Sequence, residues 1–191
     1  MLPSSKPARK DSAISQGTVL YRFRLDLSDV DRSVYEPLDF RLALHPSESL
    51  SFLLTRMFAY ALNIEPGLEF SPKGLGEPED PCISSDDPRG GKKLWIEVGN
   101  PSARRLHKAA KASKAVKVYT YKNPEPLIRE IQAEKVHQGG AIEVFALAPD
   151  FLAELEALLD RDNAWSLVRD QDSLMVTAGD QTIQGDLRRV Q

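Results

Sequence analysis

Hydrophobic and polar positions alternate over residues 18–27. Val19, Tyr21, Phe23, Leu25 and Leu27 share one face, and Arg22, Arg24 and Asp26 share the other. A period of two places successive side chains on opposite sides of an extended backbone, so this run predicts a half-buried strand. A turn over residues 28–32 leads to a second alternating run, Leu38, Phe40, Leu42 and Leu44, and the two predict an antiparallel pair. The period then changes. Leu50, Leu53, Leu54, Met57, Phe58, Ala61 and Leu62 recur at helical spacing behind His45-Pro46-Ser47-Glu48. Pro46 restrains the entry, Ser47 is the expected cap, and Glu48 falls in the first turn, where the helix dipole favours an acid. Residues 68–70 read as a short strand. Residues 71–92, rich in Pro, Gly, Ser and Asp, read as one long irregular connection, a length that in a compact domain often carries function.

The second half alternates between the two periods. Residues 94–98 form an apolar strand interrupted by one carboxylate, Glu97. Asn100-Pro101 opens a helix running to about Ser113, with Asn as the cap and Pro at the first helical position. It turns Leu106, Ala109, Ala110 and Ser113 inward and Arg104, Arg105, Lys108 and Lys111 outward. A strand over 116–121, a helix over 126–136, a strand over 142–147 and a Leu-rich helix over 150–159 follow. Residues 165–170, 174–177 and 182–187 read as a closing antiparallel meander. The pattern predicts an α/β protein of the α+β kind, with a mixed sheet. A single domain is expected over residues 17–191, behind a polar, disordered leader over residues 1–16.

Composition narrows this picture. The 191 residues carry 25 Lys and Arg against 28 Asp and Glu, a net charge of −3, with 41% apolar residues. That balance excludes a histone-like basic protein, an acidic tail and general disorder. The single cysteine, Cys82, excludes an internal disulfide framework and a Cys-rich zinc site. No apolar run approaches the ~20 residues of a membrane-spanning helix, and the basic start has no apolar stretch behind it, so a cytoplasmic protein is expected. The average charge hides an asymmetry. Between Arg89 and Lys122 lie ten Lys and Arg residues and one acid, Glu97, a local charge of +9 that leaves −12 for the remainder. Such segregation fits either a polyanion-binding face or a solvated helix face.

Familiar catalytic motifs are absent: there is no phosphate-binding loop ending in Gly-Lys-Ser/Thr, no nucleophile elbow and no dinucleotide fingerprint. His45, His107 and His137 lack metal-ligand spacing, and Ser47 beside His45 is better read as a cap than as a nucleophile. Cys82 has no evident base nearby. The carboxylates carry more information. Glu97 lies in a strand that otherwise reads as buried, and a buried carboxylate needs a cationic partner, a hydrogen-bond network or a metal ion. Glu48 and the trio Glu77, Glu79 and Asp80 come from separate elements and could converge with it on a hard divalent cation. Alternatively, Glu97 pairs with a cation of the following helix as a structural bridge.

Six blocks in order and spacing resemble the YaeQ family of small bacterial proteins. They are Leu27-Ser28-Asp29-Val30-Asp31-Arg32, Leu42-Ala43-Leu44-His45-Pro46-Ser47-Glu48, Glu77-Pro78-Glu79, Leu94-Trp95-Ile96-Glu97-Val98-Gly99, Arg105-Leu106-His107-Lys108-Ala109 and Tyr119-Thr120-Tyr121. The resemblance covers residues 17–188. It implies a variant of the restriction-endonuclease-like PD-(D/E)XK nuclease fold, with a core of helix, three strands, helix and strand and with flanking antiparallel strands. It also implies Mg²⁺- or Mn²⁺-dependent cleavage of DNA or RNA. Glu79 and Glu97 would hold the metal, Glu48 would orient water or a second ion, and Lys108 with Arg105 would stabilise the phosphate. The chain departs from the nuclease pattern where Lys is wanted two residues after the second acid: that position is Gly99, a lack the YaeQ family shares. Leu44 replaces a usual Arg, and Asp80-Pro81-Cys82 stands where Trp is usual, which leaves Glu77 or Asp80 open as the ligand in place of Glu79. The alternative implied by the missing lysine is an inactive nuclease-fold protein that binds nucleic acid or a protein partner through its basic helix.

Overall fold

A computed structural model describes residues 17–71 and 80–191. The expected leader over 1–16, together with Glu77 and Glu79, lies outside the described residues. The chain forms β1 (Val19–Asp29), β2 (Val34–Leu44), α1 (Leu50–Ala61), β3 (Glu69–Phe70), β4 (Ile83–Asp86), β5 (Lys92–Val98), α2 (Ala103–Ala112) and β6 (Ser113–Thr120). These are followed by α3 (Glu125–Ala133), β7 (Glu143–Leu147), α4 (Pro149–Leu158), β8 (Asp162–Asp170), β9 (Ser173–Ala178) and β10 (Gln181–Arg189). One mixed sheet joins all ten strands in the order β2-β1-β8-β9-β10-β7-β6-β5-β4-β3.

The alternating hairpin forms as expected, with Phe23 opposite Phe40 and Leu25 opposite Leu38. Its outer face is polar, and there Arg22 pairs with Asp39 at 2.6 Å. The connecting turn also fastens α1. Arg32 donates to the carbonyls of Leu62 and Ile64 at 2.9 and 2.6 Å, past the last turn of the helix. Those carbonyls have no partner within the helix, so a guanidinium there both satisfies them and complements the dipole. The meander β8-β9-β10 is antiparallel throughout. It also bridges the two halves of the chain, because β8 runs parallel to β1 and β10 runs antiparallel to β7.

The sheet curls around α1, and its edge strands β2 and β3 meet through Phe40 and Phe70, whose ring centroids are 5.6 Å apart, with Tyr60 of α1 against both. A helix enclosed in this way is buried on nearly all sides, and α1 buries even Thr55 and Arg56. Helix α4 packs on α1 through Phe151 and Phe58. On the other face of β5, β6 and β7 a second core forms from Trp95, Leu106, Val118, Leu127, Ile131 and Val144.

Three local expectations change. The 71–92 connection is not a continuous loop: it contains β4, whose Ile83 pairs with Ile96 and whose Ser84 pairs with Trp95. The cap of α1 is Ser49, which accepts from the Phe52 amide, so Glu48 lies before the helix and outside its first turn. The cap of α2 is Ser102. Asn100 instead accepts from the Thr120 hydroxyl and donates to the Asn123 carbonyl, tying the β5–α2 turn to the end of β6.

Candidate functional site

Strands β5 and β6 are parallel and joined by α2. In such a crossover the C-terminal strand ends and the helix N-terminus face the same side, which is where open α/β sheets bind ligands. A cleft of about 250 Å³ lies there, walled by Glu97, Gly99 and Pro101 and reaching Arg56, Ser71, Cys82 and Arg105. Phe52, Phe70, Asp80, Tyr121 and Lys122 are also among its lining residues.

Alternation along β5 puts Trp95 and Glu97 on the α2 side and Leu94, Ile96 and Val98 in the α1 core. Glu97 is 2% exposed. The Trp95 indole N–H donates to Glu97 Oε1 at 2.6 Å, and Arg105 Nε meets the same oxygen at 2.8 Å. The Cys82 thiol lies 3.6 Å from Oε2 as a weak donor. Arg105 also donates from Nη2 to the Asp80 carbonyl at 2.6 Å, which links α2 to the segment just before β4. A cation in the first turn of a helix opposes the dipole, and the buried carboxylate offsets that cost.

Of the other expected residues, Asp80 lines the cleft, Glu77 and Glu79 lie outside the described residues, and Glu48 and Lys108 lie elsewhere. Glu48 accepts from the His45 amide at 2.7 Å and pairs with Arg56 Nη1 at 3.5 Å, and it does not line the cleft. Lys108 lines a second depression with Asp86, Asp87, Lys92 and Trp95; this shares Asp80 and Pro81 with the first, so the two adjoin. Ser47 Oγ is 2.7 Å from His45 Nδ1 in an exposed turn. Thus Arg105, and not Lys108, meets Glu97. The lysine position of the nuclease pattern is Gly99, where φ is +86°. A side chain there is strained whatever the space around it, so the backbone itself disfavours lysine at this point.

Two cleft residues carry no motif signal. Arg56 donates from Nη2 to the Ala43 carbonyl, and its burial pulls the guanidinium below its ordinary value, opposed by Glu48. A cation within an otherwise apolar helical stripe was the available hint. Cys82 is the other: burial, and then the Glu97 charge, push its thiol up to about 12. The thiol therefore stays protonated at about pH 8, and it should react with an aromatic disulfide reagent slowly in the native protein and quickly in denaturant. Its contribution to stability is complete below the ordinary thiol value of 9.0 and falls as pH rises from there towards about 12. A Cys82 that labels as fast folded as unfolded would contradict this placement.

The basic segment is more neutral in space than in sequence. Lys92 pairs with Asp86 and Lys93 with Glu65, both at 2.6 Å, and Lys114 pairs with Asp87. Among the described residues, no group of three or more His, Cys, Asp or Glu side chains is arranged to hold a metal ion.

The profile of the YaeQ protein family matches residues 14–187. The chain belongs to the YaeQ family. It is 29% identical over 143 residues to the protein called "Uncharacterized protein YaeQ" in Escherichia coli (strain K12), covering 74% of this chain and 78% of the relative. The protein of the same name in Salmonella typhi matches to the same extent. Solved YaeQ structures share the fold. YaeQ from Xanthomonas axonopodis pv. citri superposes with a TM-score of 0.82 at 27% identity, over 91% of this chain and 98% of the other. YaeQ from Pseudomonas syringae gives 0.83 at 26% identity, over 93% and 98%. The mixed α/β architecture with one large sheet and few helices is therefore that of the YaeQ structures. No helix of the described residues is long and apolar enough to cross a membrane.

Proposed function

We propose that the chain is a nuclease-fold protein of the restriction-endonuclease-like PD-(D/E)XK kind that binds nucleic acid at its cleft without cutting it. The kinship is supported by the run α1, β3, β4, β5, α2, β6, with an acid at the end of the third strand of that run and a parallel crossover after it. Binding is supported by the aromatic and cationic side chains of the lining and by the exposed Arg104, Lys108 and Lys111 of the adjoining helix.

The observation that carries the absence of cutting is the state of Glu97. Its Oε1 is taken by an indole N–H and a guanidinium, so the carboxylate already has its cation. A hard divalent ion needs several oxygen ligands with open geometry. The described residues offer one buried acid at the cleft, neutralised by Arg105, with a thiol on its second oxygen. That pairing argues against Glu97 as a ligand of Mg²⁺ or Mn²⁺; Asp80 is the other described carboxylate of the cleft, Glu77 and Glu79 lie outside the described residues, and Glu48 pairs with Arg56.

Fluorescence anisotropy with labelled single-stranded and duplex oligonucleotides at about 50 mM salt tests the reading. The expected result is binding that weakens with salt, with a shallower salt slope in Lys108→Ala combined with Lys111→Ala. If no oligonucleotide binds even at low salt, the reading fails and an acidic protein partner for the basic helix takes its place.

A further inference from the structure

The cleft lies toward the start of α1, through Phe52 and Arg56; at the other end of the helix the apolar interior stops in a rim of charge. Side chains two apart on a strand share a face. Lys117 lies two residues before Tyr119 on β6, Glu143 two before Phe145 on β7, and Arg169 two after Leu167 on β8. Arg189 of β10 lies opposite Phe145. Tyr119, Phe145 and Leu167 belong to the core around α1, so all four charged side chains leave the sheet on that inner face. Lys117 Nζ stands 5.8 Å from the centroid of the Phe145 ring and donates to Asn63 Oδ1, just past α1, at 2.9 Å.

The charges form two adjoining groups. Glu143 has Lys117 at 4.0 Å from one oxygen and Arg189 at 3.2 Å from the other. Asp29 is fully buried, and Arg32 and Arg169 stand 3.9 and 3.7 Å from the same oxygen, Oδ2, too far for hydrogen bonds. Arg32 also donates to the Leu62 carbonyl, next to Asn63. Burial lowers Lys117 below the ordinary lysine value; Glu143 opposes this, and the charges of Arg32, Arg169 and Arg189 add to it, so all three guanidiniums lie within electrostatic reach of the amine. With Arg169 also on Asp31, the four cations Arg32, Lys117, Arg169 and Arg189 meet three carboxylates, a net charge of +1. Donors are left over. Among the described residues, Lys117 Nζ has one hydrogen-bond partner, and the terminal nitrogens of Arg169 have none within bonding distance. These side chains reach solvent, at 26% exposure for Lys117, 18% for Arg169 and 60% for Arg189.

We propose that Lys117, Arg169 and Arg189 bind a tetrahedral oxyanion, a phosphate or sulfate group, at this rim. The donors come from three strands, β6, β8 and β10, and an anion with oxygens on every side accepts from all three. Its negative charge offsets the excess cation of the rim. The site is separate from the cleft and does not rest on the nucleic-acid reading.

The test is lysine footprinting. The full chain is treated with a limiting amine-acylating reagent in chloride, inorganic phosphate or sulfate at matched ionic strength, and labelling at each lysine is read by peptide mass spectrometry. In chloride, Lys117 should label in the folded protein. Phosphate or sulfate should slow that labelling saturably, with half-protection at about 1 mM, and leave the exposed Lys111 of α2 unchanged. Arg189→Ala removes a largely exposed side chain, so the fold persists, and it should raise the half-protecting concentration about tenfold. Protection by both anions assigns the site to tetrahedral oxyanions in general, and protection by one assigns it to that anion; either supports the site. Lys117 labelling only in denaturant, protection matched by chloride, or protection unchanged in Arg189→Ala overturns it.

Discussion

Arg105→Ala should lower stability by about 3 kcal/mol, the low end of the cost of stripping one partner from a buried ion pair. Glu97 is 2% exposed, and its Oε1 is held by both Arg105 and the Trp95 indole. Without the guanidinium it keeps the Trp95 N–H and the weak Cys82 donor, while the Asp80 carbonyl loses the donor that Arg105 supplied. In a chain of this size that loss corresponds to a fall in Tm of roughly 6–12 °C, read by calorimetry at neutral pH. Glu97→Gln should cost less, because the amide oxygen still accepts from the indole and the charge has gone from the buried side of the pair. A loss of under about 1 kcal/mol in Arg105→Ala, the scale of an exposed pair, would mean that Glu97 is not held as described.

Gly185→Ala is expected to be about as damaging, for a steric reason. Gly185 lies on β10, opposite Leu174 of β9. A Cβ added there falls 2.2 Å from Phe151 Cγ and 2.6 Å from its Cβ, so the obstacle is the root of the side chain and not a flexible tip. Phe151 is 2% exposed and packs against Phe58 of α1 with tilted rings 5.5 Å apart, so relief requires moving α4 against the helix at the centre of the core. Overpacking of this kind costs about 1–3 kcal/mol and sometimes more. Combining it with Phe151→Ala removes the ring contacts and leaves only the 2.6 Å approach to Cβ, so urea midpoints should show the pair less destabilised than the sum of its parts. Strict additivity would contradict the contact.

The hairpin, the core helices and the β5–α2–β6 crossover were legible because their periods are clean. Strand β4 was not, since Ile83-Ser84-Ser85-Asp86 has one apolar side chain and gains its pairing only from β5. The joins of the meander to β1 and β7 were also hidden, because pairings so distant in sequence leave no local trace. At the site, burial of Glu97 and a cation from the next helix were legible, as the alternatives of ligand and structural bridge. The spatial choice of Arg105 over Lys108 needed the helix phase. The +9 segment misled because its window began just after Asp86 and Asp87, which fold back onto Lys92 and Lys114.

The most direct measurement is cleavage. Labelled single-stranded and duplex DNA and RNA are incubated with the protein and with Glu97→Gln, each with Mg²⁺ and with Mn²⁺, and products are resolved on denaturing gels alongside anisotropy on the same substrates. The expected result is bound substrate and no product from either protein with either ion. Metal-dependent product from the wild type that disappears in Glu97→Gln would contradict the reading, because it would require Glu97 to leave Arg105 and take a metal.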